Sequence, residues 1–285
     1  MHIRENSESN RLVSSDAFLQ ITAQSGNVTV QKEKKLYLSS IWKFVNSFEE
    51  SIKIGNKEIT VRYVDYYPVA EKKIVSDEKG QPMISVVFLV DGQPVKKILK
   101  YGEVIDSDDF VFSFGKEVNS GEKSYLSLSI KDGKFFIVSN RAVRFFDMDT
   151  QQSGEIPENK EVVLKSRRMY TVDGYRFVIH QAVLSGRVDV VPVSGSSVKV
   201  GESRGALVVE LSYDGEKKIV KLLGGGMRAN VVGEPVTLDM KDIKLTLSWG
   251  AKIINLPFYI YLKDFIVERY PGSMRPSSCR KFSCS

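Results

Sequence analysis

Apolar and polar residues alternate along most of this chain, in short runs separated by turn sequences. Four Asp-Gly dipeptides, beginning at Asp91, Asp132, Asp173 and Asp214, each lie between two such runs. An alternating run places successive side chains on opposite faces, as a strand does, and Asp-Gly supplies the positive φ values of a two-residue hairpin turn. The pattern therefore predicts a β-hairpin around each dipeptide.

Two more hairpins are predicted nearer the N-terminus. One covers 17–30 and turns at Ser25-Gly26-Asn27, and the other covers 52–67 and turns at Gly55-Asn56. Pro68 is predicted to end the second hairpin, because proline has no N–H to give to a strand ladder.

Helical spacing is rare, and its clearest case follows Ser39-Ser40, which are residue types suited to cap a helix. Four apolar residues there have the spacing of one helix face: Ile41, Phe44, Val45 and Phe48. We predict a short helix near 40–48, with Trp42 as a packing residue.

These patterns indicate a mainly β fold class, an antiparallel sandwich or open barrel with few short helices. The chain is long enough for one body or for two β lobes. Residues 147–160 are the most polar stretch without strand character. They are the predicted boundary if there are two lobes.

The stretch 256–278 is the most distinctive part of the sequence. Its first half alternates, with Phe258, Ile260 and Leu262 on one face of a predicted strand. Asp264 interrupts that apolar face, as a bulge or the rim of a sheet would. Pro271-Gly272 is predicted to end the strand.

Composition places the chain among ordinary folded domains, with 42% hydrophobic and 27% charged residues. No apolar run is long enough to cross a membrane, and the N-terminus lacks the apolar core of a signal peptide. The formal net charge of +6 comes from Lys and Arg spread along the chain. We find no dense basic run with interleaved aromatics, so we expect no nucleic-acid partner.

Candidate catalytic chemistry is sparse. The chain has two histidines, His2 and His180, and two cysteines, Cys279 and Cys284, whose spacing is not that of a Cys-x-x-Cys site. Ser-His, Cys-His and multi-His sites are therefore nearly excluded, while carboxylate pairs stay open. We predict no catalytic, metal or cofactor-binding residues and expect the chain alone not to bind haem tightly, so a binding or assembly role is favoured.

Two segments nevertheless resemble a known family. The C-terminal motif combines Lys-Asp-Phe, Glu-Arg-Tyr-Pro-Gly and Pro-Ser-Ser, and the N-terminal motif begins His-Ile-Arg-Glu. Together they resemble the ResB/CcsB family of system II cytochrome c maturation. The matched residues are His2, Ile3, Arg4, Glu5, Asp264, Phe265, Glu268, Arg269, Tyr270, Pro271, Gly272, Pro276, Ser277 and Ser278.

The resemblance implies that residues 1–278 are the family's extracytoplasmic (periplasmic) domain, on the outer face of a bacterial inner membrane. The full-length protein would cross the membrane several times through flanking helices, and this chain would be a fragment. Haem would be handled by the full complex, in which a CcsA-type protein, fused or separate, and this domain serve apocytochrome c as a cytochrome c synthase, or haem lyase. Residues 279–285 depart from the family pattern. The matched residues are expected to be structural and close to the membrane.

An alternative is a stand-alone β-rich binding module of the cell envelope, for a peptide or a glycan. A hydrolase is a third class and predicts a pocket with paired carboxylates. The family resemblance also makes a geometric prediction. The N-terminal motif and the C-terminal motif should lie at the same end of the folded domain, because both would lead into helices of one membrane.

Overall fold

The computed structural model describes residues 6–118, 123–193, 204–225, 231–269 and 276–284; within 264–269 and 276–284, and at residue 43, it describes the backbone alone. Strands dominate. They are β1 (Ser7–Ser25), β2 (Val28–Leu36), β3 (Glu49–Ile54), β4 (Lys57–Val90), β5 (Gln93–Lys100), β6 (Val104–Asp106), β7 (Phe110–Phe114), β8 (Ser124–Lys131), β9 (Lys134–Ser139), β10 (Val143–Asp147), β11 (Ser153–Ile156), β12 (Val162–Val163), β13 (Arg168–Val172), β14 (Tyr175–Pro192), β15 (Arg204–Tyr213), β16 (Glu216–Gly224), β17 (Val236–Met240), β18 (Ile243–Arg269) and β19 (Pro276–Cys284).

The chain divides into two units. Unit 1 comprises 1–71 and 190–285, and unit 2 comprises 72–189. The chain passes from one unit to the other within β4 and returns within β14. The polar stretch 147–160, which we predicted as the boundary, instead lies inside unit 2, where β10 and β11 form an antiparallel pair. This stretch is polar because most of its residues are exposed in that strand pair and its turn. The boundaries between the units instead run through the continuous strands β4 and β14.

Unit 1 is built from two antiparallel sets of strands. One has the order β17-β18-β1-β2, with β19 added beside β18, and the other joins β3, the first part of β4, β15 and β16. Alternate residues of both sets meet in one mainly aliphatic core, which is the arrangement of a β-sandwich. That core includes Leu19, Ile21, Ile59, Val61, Leu207, Val209, Leu245, Leu247 and Trp249.

Unit 2 has a core rich in aromatic side chains. Sheet β12-β9-β8-β7-β6 supplies part of it, and the strands β11-β10-β13-β14 and the pair β4–β5 supply the rest. Phe112 and Phe177 meet edge to face with ring centroids 5.4 Å apart, and Phe110 stacks on Tyr175 at 4.6 Å. Strands β7 and β8 are parallel, an exception to the predicted antiparallel pairing.

The predicted mainly β, antiparallel fold class is confirmed, and so are the hairpins. Each Asp-Gly dipeptide joins two paired strands, and Asp91 and Gly92, for example, have φ values of 50° and 75°. Positive φ at both positions is what a type I′ turn requires, which explains the choice of residues.

Pro68 does not end its strand. Strand β4 continues through it, and the register with β15 shifts at this point, between the pair Ala206–Tyr67 and the pair Arg204–Ala70. A bulge is a place where a missing N–H can be accommodated without breaking the ladder. Proline therefore marks an irregularity here and not a strand end.

The short helix predicted near 40–48 is reduced to one 3₁₀ turn, Lys43–Val45. Only Phe48 of the predicted apolar face is buried, while Ile41, Phe44 and Val45 are exposed. Trp42, predicted as a packing residue, is also exposed. The capping prediction holds in part, because the Trp42 N–H donates to Ser39 Oγ at 2.9 Å.

Candidate functional site: the terminal strand pair

The two ends of the described chain lie side by side in unit 1. Strand β1 runs antiparallel to β18 along most of its length, from the pair Ser7–Leu262 to the pair Gln24–Lys244. At its start the Asn6 N–H donates to the Leu262 carbonyl at 2.8 Å. The residues that follow the N-terminal motif are therefore next to those that precede the C-terminal motif.

Part of the C-terminal motif folds back on itself. Asp264, Phe265, Glu268 and Arg269 belong to β18, while Pro276, Ser277 and Ser278 belong to β19. The strands are antiparallel, so Glu268 is opposite Ser277 and Arg269 is opposite Pro276. The register between β18 and β19 shifts between Leu262 and Asp264, where the sequence predicted a bulge or a rim. Cys279 and Cys284 lie within β19.

The remaining motif residues, His2, Ile3, Arg4, Glu5, Tyr270, Pro271 and Gly272, lie outside the described residues. The prediction that both motifs share one end of the domain therefore stays a prediction.

Two further irregularities divide β1–β18 into sections. Between Val13 and Ala17, three residues of β1 lie opposite Lys252 alone, and between Ser9 and Arg11 the excess lies in β18, at 256–259. The Ser14 side chain bridges the two strands at the bulge between Val13 and Ala17. Its Oγ accepts the Lys252 N–H at 2.9 Å and donates to the Asp16 carbonyl at 2.7 Å. These bulges bend and twist the pair locally.

On the N-terminal side of Ser14, the strand pair β1–β18 exposes apolar side chains. We call residues 7–13 of β1 together with 253–262 of β18 the arm. Its exposed large apolar residues are Leu12, Ile253, Ile254, Phe258 and Tyr259. Leu262, at the far end, is buried. Five exposed large apolar residues within one strand pair make the arm a candidate surface for a partner.

Charged and aromatic groups meet where the arm joins the sandwich. Lys252 Nζ lies 2.6 Å from Glu33 Oε2 and 4.5 Å from the centre of the Phe18 ring. Gln20 Nε2 donates to the other Glu33 oxygen at 2.9 Å. Hydrogen bonds from Lys252 and then Gln20 lower the pKa of the Glu33 carboxyl below its usual 4.5. This network links side chains of β1, β2 and β18.

Val163 lines two clefts of unit 2, of about 260 and 300 Å³. Arg168 lines the larger one, but its guanidinium already contacts the Asp147 carboxylate at 2.8 Å and covers the Phe145 ring at 4.2 Å. The Arg168 hydrogen bond, with backbone N–H groups, lowers the pKa of Asp147 to about 2. The Arg168–Asp147 pair therefore has a structural role. Neither cleft is lined by the two carboxylates that the hydrolase alternative predicts.

The predicted chemistry can be compared with the described part of the chain. There, no group of three or more His, Cys, Asp and Glu residues is placed to hold a metal ion, and no helix is long and apolar enough to span a bilayer. His180 is an exposed residue of β14. The exposed apolar residues of the arm and of the loop after β2 were missed by sequence reasoning. Their signal was a high density of large apolar residues, which we interpreted as packing.

The chain is similar to a known protein over a short stretch. No family model matches this chain. Over 62 residues the chain is 39% identical to Protein NrfI of Wolinella succinogenes, a stretch that covers 22% of this chain and 7% of that protein. The chain thus spans less than a tenth of the length of the curated relative it matches, and it resembles that protein over this short stretch.

Proposed function

We propose that this chain is the extracytoplasmic domain of a membrane-bound cytochrome c maturation protein of the ResB/CcsB type. Together with a CcsA-type partner, it would assist haem delivery and the attachment of haem to apocytochrome c. The short similarity to Protein NrfI supports the coarser part of this proposal, a role in cytochrome c maturation. The two matched motifs support the finer part.

One observation carries the proposal. The Asn6 N–H donates to the Leu262 carbonyl, and Ser7 pairs with Leu262. A domain inserted between two helices of one membrane needs its two connections close together. The pairing at the start of β1 meets that need, since it brings the residues after the N-terminal motif beside those before the C-terminal motif.

The proposed role is binding and positioning rather than chemistry. The exposed arm offers apolar surface for a protein partner, whereas neither of the clefts at Val163 is lined by paired carboxylates. Haem would then be carried by the complete complex, with the haem ligands supplied outside this chain.

The test uses the complete gene that encodes this chain, produced with a CcsA-type protein and a reporter apocytochrome in a bacterium that lacks its own maturation system. Covalently bound haem is read as peroxidase activity of the denatured reporter. We expect holocytochrome with the intact gene and its loss when Phe258 and Tyr259 are both changed to serine. The matched control is Ile219→Ser, another exposed apolar residue of unit 1.

Holocytochrome at the same level without this chain would overturn the proposal. Failure to mature the reporter, combined with saturable binding of the chain to envelope peptides or glycans, would favour the stand-alone binding module instead.

A further inference from the structure

The loop between β2 and β3 presents a dense set of exposed apolar side chains. We call residues 37–46 the aromatic loop. Ile41 is 84% exposed, Phe44 78% and Trp42 60%, and Tyr37 and Val45 are exposed as well. The Trp42 and Phe44 rings contact each other edge to face at 5.6 Å. The loop therefore keeps its largest side chains in solvent.

This exposure is built into the loop by hydrogen bonds. Asn46 is buried, and its side chain bonds both backbone groups of Ser39. It accepts the Ser39 N–H at 2.8 Å and donates to the Ser39 carbonyl at 2.9 Å. Ser39 Oγ and the Trp42 carbonyl then accept the N–H groups of Trp42 and Val45. The ring that Asn46 closes fixes the backbone, so the apolar side chains do not fold back onto the sandwich.

An ordered apolar loop in water carries an unfavourable hydration free energy, and soluble proteins seldom keep such a patch without a partner. The residue types indicate which partner. Tyr and Trp favour the interface between lipid headgroups and acyl chains, and Phe and Ile favour the acyl region beneath it.

Charge points to the same partner. Residues 36–48 contain no Asp or Glu. Beside the loop, Lys32 and Lys34 share the single carboxylate of Glu50, so these three side chains together carry a net positive charge. Lys35 lies over the Tyr37 ring at 4.9 Å and pairs with Asp16. An apolar tip with positive charge behind it is complementary to an anionic bilayer surface.

We propose that the aromatic loop inserts Ile41, Trp42 and Phe44 into the headgroup region of an anionic bilayer. The inference goes beyond the proposed function, because it assigns lipid contact to the folded body itself. It does not depend on any role in haem attachment.

The test mixes the full chain with vesicles of phosphatidylcholine, with or without phosphatidylglycerol, and follows tryptophan emission and acrylamide quenching. The chain has two tryptophans, and Trp249 is only 2% exposed, so changes report on Trp42. We expect a blue shift and reduced quenching, both stronger with phosphatidylglycerol. Trp42→Phe should abolish the spectral change.

The double variant Ile41→Ser with Phe44→Ser should weaken vesicle affinity by on the order of tenfold to a hundredfold in a sedimentation assay. The control Ile219→Ser removes an apolar side chain that is 56% exposed elsewhere in unit 1 and should bind as the unchanged protein does. Circular dichroism confirms that each variant is folded.

Four results would overturn the proposal, three of them in the vesicle assays. The vesicle results are unchanged Trp42 emission with both vesicles, equal vesicle binding by the loop double variant, and loss of binding in Phe258→Ser but not in the loop variant. A spectral change caused only by a protein partner would likewise assign the loop to protein recognition. None of these results depends on haem attachment, so the two proposals fail independently.

Discussion

The pair β1–β18 contains two sections that both carry large apolar residues but have different surroundings. In the section formed by 17–24 and 244–251, apolar residues such as Leu19 and Leu247 are fully buried. In the arm, Leu12, Ile253 and Ile254 are exposed. Both sections have the same antiparallel backbone pairing, so the difference does not arise from secondary structure.

The difference comes from what lies opposite. The first section faces β4 and β15, whose residues Val61 and Val209 share its core. Among the described residues, no side chain of the arm belongs to that core. A strand pair can therefore keep its apolar residues and extend beyond its sandwich. The extension then exposes apolar surface that a partner can cover.

The largest expected effect is a core truncation in the buried section. Leu247→Ala should lower the free energy of unfolding of unit 1 by about 2–5 kcal/mol, because it leaves a cavity as well as losing apolar burial. Ile253→Ala removes a similar volume from a side chain that is 50% exposed and should cost less than about 1 kcal/mol. Urea unfolding measures both. Equal losses would contradict the division of the pair into two sections.

The bulge at Ser14 should have a smaller effect. Ser14→Ala removes the acceptor of the Lys252 N–H at a buried position, which should cost about 1–2 kcal/mol. The control is Ser9→Ala at the other bulge, where an exposed hydroxyl accepts the Arg11 N–H. Its cost should stay within about 0.5 kcal/mol. If Ser9→Ala were the more damaging change, the buried bulge would not be what holds the arm in place.

The smallest expected effect is a pH dependence at the base of the arm. The pKa of Glu33 is lowered in the folded state, so its contribution is complete well above 4.5 and is lost as pH falls through the folded pKa. The Glu33 side chain is 43% exposed, and solvent screening should keep the contribution below about 0.5 kcal/mol.

This effect is measured as the difference in unfolding free energy between the unchanged protein and Glu33→Gln. The difference should shrink as pH is lowered below 4.5 and also as salt is added. A difference that grew on acidification would mean that the carboxylate is not stabilised by Lys252.

Local chemistry in the sequence was sufficient to predict the strands and their turns. Asp-Gly turns depend on the φ values of two adjacent residues, and alternation depends on neighbours two positions apart, so both are visible without tertiary contacts. The irregularity at Asp264 was predicted for the same reason, since a charge within an apolar face is a local signal.

Burial, in contrast, was decided by the tertiary structure. Ile41, Phe44 and Val45 have the spacing of a helix face, yet the Asn46–Ser39 hydrogen bonds hold them outward in a loop. The chain passes between the two units within β4 and within β14, so the polar stretch 147–160 could not reveal the boundary between them. An apolar side chain is buried only if another element covers it. Residues of β4 and β15, which are distant in sequence, share the core with Leu247, whereas Ile253 lies outside that core and is exposed.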